Sequence, residues 1–135
     1  MDKPATDPPR ERLRTPPAER FAGDSHLFSI EETLAQLRIE EHPTRHGHRQ
    51  KALFHRGPVT TLVFDFDEGG TLAEHTTPGL VTIHGLEGHL QVRAEGETHD
   101  LPPGHILILR PGIPHDVHAV AAGAMLLTVH LEQDR

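Results

Sequence analysis

The sequence predicts an all-β domain, a barrel or sandwich of antiparallel sheet preceded by a single helix. Three observations carry that reading. From Ala52 onward the apolar segments are short, rich in Val, Ile, Leu and Thr, and separated by Gly and Pro. Only one stretch, ahead of them, has helical periodicity. The first 22 residues carry almost no bulky apolar side chains.

Residues 1–22 hold five of the twelve prolines (Pro4, Pro8, Pro9, Pro16, Pro17) among charged residues. Such a segment buries too little surface to offset its ordering entropy, so a disordered tail is expected. A lead-in with one helix follows over residues 23–52. Ser29 followed by Glu32 fits a capping box, and Ile30, Leu34 and Leu37 recur on one helical face. Pro43 limits extension, giving a helix over about 30–41 that packs on the outside of the barrel or on a partner.

The barrel is expected over 53–135. Its strands are read at Val59–Phe64, Leu80–His84, His89–Arg93, Thr98–Leu101, Ile106–Leu109, His115–Val120 and Met125–Leu131. Gly69-Gly70, Gly96, Pro102-Pro103-Gly104 and Pro111-Gly112-Ile113-Pro114 divide them.

Composition excludes several function classes. Without cysteine there is no disulfide, thiolate metal site or cysteine nucleophile. No apolar run reaches the ~20 residues that span a bilayer, and the N-terminus has no signal-peptide core, so a cytoplasmic protein without a membrane partner is expected. Net charge is −7, and after residue 20 eight basic residues face sixteen acidic ones. That surface repels a phosphate backbone, so no nucleic-acid partner is expected. The only serines, Ser25 and Ser29, precede the barrel, and no Gly-rich phosphate loop is present.

Two motifs give the reading a family. Gly70-Thr71-Leu72-Ala73-Glu74-His75 through Leu86-Glu87-Gly88, and Gly104-His105-Ile106-Leu107-Ile108-Leu109-Arg110-Pro111-Gly112-Ile113-Pro114-His115, resemble the two motifs of the cupin superfamily. Between them, Glu95-Gly96-Glu97-Thr98-His99-Asp100-Leu101 reads as the connecting hairpin. The chain is similar to small single-domain bacterial cupins. The resemblance implies a double-stranded β-helix, a jelly-roll-like cup, with a homodimer as its usual assembly.

It also implies where a site would lie. Metal-binding cupins place three histidines and a glutamate in the cup. Matched residue by residue, this chain keeps His75 and His115, has Thr77 at the position of the second histidine, and Val81 at that of the glutamate. Valine cannot ligate, and threonine is a poor ligand for borderline divalent ions. His75, Thr77, Val81 and His115 are thus the candidate ligand-binding residues, with His75 and His115 as the surviving ligands for one divalent transition metal (Fe, Mn, Ni or Zn).

A catalytic metal ordinarily takes three protein ligands. His84 is a further candidate, although strand parity turns it away if Val81 faces inward. His118 has the same parity relative to His115, and the pair His46 and His48, ahead of the barrel, is expected to face solvent. Two readings stay open: a cup that binds a small organic ligand, with or without a metal on His75 and His115, and a metal-dependent cupin enzyme acting on a small organic acid or aromatic compound.

Overall fold

In chain order the elements are α1 (Ile30–Ile39), β1 (His48–Arg56), β2 (Val59–Phe66), β3 (Thr71–His75), β4 (Gly79–Ala94), β5 (Glu97–Leu101), β6 (Ile106–Leu109) and β7 (His115–Leu131). They come from a computed structural model that describes residues 20–40 and 46–132. The tail expected over 1–22 lies outside the described residues as far as residue 19. Near its end, Phe21 is buried, with its ring 5.2 Å from that of Phe54 on β1.

All pairings are antiparallel, in the order β1-β2-β7-β4-β5, with β3 joined to β7 and β6 to β4. The two long strands organise the cup. The first half of β7 lies between β3 and the second half of β4; its second half lies between β2 and the first half of β4. The sequence divides each long strand in two, whereas the structure keeps each whole. Glycines that read as breaks act instead as bulges, since the register shifts between Gly85 and Leu90 while pairing continues on both sides.

Gly88 sits at that crossing with φ +75°, and a Cβ there would collide with the Ala122 carbonyl oxygen on β7. β1 is the second departure. It begins at His48, ahead of the expected barrel start at Leu53, and among the described residues pairs with β2 alone. Its opening residues His48-Arg49-Gln50-Lys51 have no apolar alternation, so pairing with β2 rather than side-chain burial specifies it.

Alternation along the strands turns one set of apolar side chains inward. Phe64, Phe66, Val81, Ile83, Leu90, Val92, Leu101, Leu109, Val117, Met125 and Leu127 form one buried cluster. The helix ends at Ile39, short of the expected 41, with Glu40 already extended. Its N-cap Ser29 side chain accepts from the Glu32 N–H at 3.0 Å. Leu34 and Leu37 bury against Leu53, Val63 and Ala124, so α1 covers part of the barrel's outer face.

Charge pins the helix there. Arg38 on α1 donates to Asp65 at 2.8 Å and to Glu87 at 2.6 Å, and Arg49 on β1 donates to the other Asp65 oxygen at 2.9 Å. Asp65 is thus a buried carboxylate held by two guanidinium groups. No helix among the described residues is long and apolar enough to cross a membrane.

Candidate functional site

His75 closes β3 and His115 opens β7, and the register sets them directly across from one another. Two turns bring them together. Pro111-Gly112 reverses the chain after β6, and the Gly112 N–H donates to the Thr77 carbonyl at 2.8 Å, fastening that turn to the loop after β3. The inward parity of β7 then buries His115 beside Val117 and Ala119. The two imidazole centroids are 4.3 Å apart, with their planes at 57°.

Each ring is fixed in the same way. Nδ1 of His75 donates to the Ala73 carbonyl and Nδ1 of His115 to the Ile113 carbonyl, both at 2.9 Å. A carbonyl oxygen only accepts, so the proton of each neutral ring is on Nδ1 and Nε2 carries a lone pair. His115 is 1% exposed, and its Nε2 is buried without a hydrogen-bond partner.

Burial lowers the His115 pKa; the neighbouring His75 lowers it further, while the bond to Ile113 and the nearby Asp116 oppose the shift. The sign of the consequence is definite. Unfolded His115 titrates near its usual value of about 6.5, and the folded form binds a proton less tightly. Its contribution to stability is therefore complete above that value. It declines as pH falls from about 6.5 to the lowered folded value. Urea unfolding at about pH 8 and about pH 5.5 is expected to show this loss in the wild type and a smaller one in His115→Gln. Equal losses in both proteins would contradict it.

The other candidate site residues follow the parity expected of their strands where they lie on one. Val81 is buried in the main cluster, paired with Leu109 and Val129. The Thr77 hydroxyl donates to the Gly79 carbonyl at 3.1 Å. His84 lies on the outward face of β4, between Ile106 and Leu126. His118 is exposed on the outward face of β7.

His46 and His48 do not share a strand face. His46 occupies the turn before β1 with φ +62°, whereas His48 packs with its centroid 5.6 Å from Phe64 and from Phe66 and donates to the Thr71 carbonyl. The solvent-facing expectation for the pair is corrected at His48, because β1 turns that side chain toward the two rings.

A metal fits this donor set poorly. Two imidazole lone pairs are available, and among the described residues no group of three His, Asp or Glu side chains gathers to hold an ion. A three-ligand centre is thus not supplied by the described residues.

Sequence reasoning missed a second feature. On the back of the strands that carry the histidine pair, a groove of about 630 Å³ is lined by Thr71, Glu74, Gln91, Arg93, Asp116 and His118. Asp116 and Glu87, which carry no assigned role in the sequence, are ion-pair partners of Arg93 and Arg38. Strand parity gathers Gln91, Arg93, Asp116 and His118, since each alternates with inward neighbours, and Thr71 and Glu74 join them across the register shift in β3.

Residues 58–135 match the family described as the AraC-like ligand binding domain. The chain belongs to that family. The AraC-like domain has its fold in common with many solved cupins. A conserved protein of unknown function from Streptococcus pyogenes superposes with a TM-score of 0.66 at 24% identity, covering 83% of this chain and 92% of that one. An RmlC-like cupin from Shewanella frigidimarina gives 0.65 at 19% identity, over 82% and 95% of the two chains. Salicylate 1,2-dioxygenase from Pseudoaminobacter salicylatoxidans gives 0.61 at 17% identity, covering 74% of this chain and 29% of the enzyme. These likenesses establish the cupin double-stranded β-helix. No protein of curated function matches the chain.

Proposed function

We propose that this AraC-like domain binds a small organic molecule in its cup, with His75 and His115 as the polar end of the site and Thr77 and Val81 beside them. The observation that carries the proposal is the buried, unpartnered Nε2 of His115 next to a second imidazole. A buried polar atom without a partner costs about 1–3 kcal/mol, which a bound group recovers. The family supports the reading, because its description is that of a ligand-binding domain.

The test is thermal unfolding against a panel of small neutral, cationic and anionic compounds, run on wild type and His115→Ala. At least one compound is expected to raise the wild-type midpoint and leave the variant unmoved; at 100 times its Kd a ligand contributes about 2.7 kcal/mol. A panel that moves neither protein, or moves both alike, overturns the proposal.

One observation favours a second reading, a cup whose occupant is a divalent ion (Fe, Mn, Ni or Zn) serving a metal-dependent enzyme. Both rings are anchored through Nδ1 to backbone carbonyls, as ligating imidazoles commonly are. Elemental analysis of untagged protein decides it. Near-stoichiometric metal, lost in both His75→Ala and His115→Ala, would replace the organic-ligand reading with the metal one.

The proposal includes a homodimer. Among the described residues β6 pairs only with β4, and Ile106 and Ile108 on it are 55% and 61% exposed. Sedimentation is expected to give a dimer for the wild type and a shift toward monomer for Ile108→Lys; a monomeric wild type would contradict it.

A further inference from the structure

We infer that the His75–His115 pair receives a hydrogen-bond donor from its ligand, a hydroxyl or a protonated amine, and discriminates against a carboxylate. The inference rests on the proposed cup ligand and adds its chemical class. Neither Nδ1 is available, because each already donates to the carbonyl two residues back in its own strand or turn. What the pair offers a ligand is therefore two imidazole lone pairs, one of them wholly buried.

A carboxylate also brings only lone pairs. Set against these nitrogens it forms no hydrogen bond and loses its own hydration. A hydroxyl or an ammonium group brings the missing hydrogens, and with ring centroids 4.3 Å apart neighbouring donors on one small molecule serve both rings.

The experiment uses the full, untagged chain labelled with ¹⁵N at a pH well above the histidine range. Long-range proton–nitrogen correlation spectra are assigned with His75→Gln and His115→Gln. They are expected to show Nδ1 protonated and Nε2 unprotonated in both rings. Ethylene glycol, ethylammonium and acetate, three probes of matched size, are then titrated separately.

Saturable upfield movement of both Nε2 signals with ethylene glycol or ethylammonium, and none with acetate, is the expected result; which of the two acts separates hydroxyl from ammonium. Movement with acetate equal to or greater than theirs overturns the donor preference and leaves a cup ligand standing, as does finding Nε2 protonated. Silence toward all three probes overturns the donor preference; the separate compound panel then decides whether the cup binds any ligand.

Discussion

Gly88→Val is expected to lower the thermal unfolding midpoint by roughly 10–20 °C. Two separate costs add at this position. The backbone is left-handed at φ +75°, which costs a β-carbon roughly 1–2 kcal/mol. The new side chain also meets the backbone of β7 at Ala122 and Gly123, with the Gly123 Cα only 2.6 Å from a Cβ. Overpacking of that kind costs about 1–3 kcal/mol. A total near 3 kcal/mol corresponds to the stated shift for a domain of this size.

Gly96 supplies the control. It has a similar φ, +77°, in the β4–β5 hairpin, but a Cβ there meets nothing within 4 Å. Gly96→Val therefore carries the conformational cost alone and is expected to lose about half as much. Equal losses would show that the β4–β7 crossing is not as close as described.

Asp65→Ala is expected to cost about 2–3 kcal/mol in urea unfolding. The carboxylate side chain is 6% exposed and satisfies both Arg38 and Arg49, so removing it leaves Arg38 to Glu87 and Arg49 to Asp67 alone. Breaking a fully buried pair costs about 3–5 kcal/mol; here the arginine side chains are 42% and 21% exposed, which lowers the figure. Glu87, half exposed on the same Arg38, is expected to lose under about 1 kcal/mol when changed to Ala. The comparison shows whether α1 is held by the buried carboxylate or by apolar contact alone, since equal small losses would leave Leu34 and Leu37 as its only anchors.

The residues of β2 and of β4 to β7 and the two histidines were legible in the sequence for physical reasons; β3 was not read as a strand, and only the first motif marked its residues. Alternating apolar residues between Gly and Pro specify sheet, and Pro111-Gly112-Ile113-Pro114 fixes where His115 begins β7. The bends in β4 and β7 were not legible, because a glycine at a bulge and a glycine in a loop look alike without the paired strand. β1 was hidden by its polar opening residues, which are held by β2 rather than by their own burial. The role of Asp65 was invisible for a related reason: its partners stand 27 and 16 residues away, and only the fold brings Arg38 and Arg49 to it. Val81 and Thr77 were legible as departures from the family's metal set, and the structure places one in the apolar core and the other against a backbone carbonyl.

The cup and the outer groove lie on opposite faces of the same strands, so locating a bound molecule separates them. Crystals of the full chain soaked with a panel of small polar fragments provide the direct test. The expected result is a fragment inside the cup with a donor atom within hydrogen-bond distance of Nε2 of His115 and the His75 ring beside it. Fragments that gather only along Gln91, Arg93, Asp116 and His118 on the outer face would contradict a binding cup.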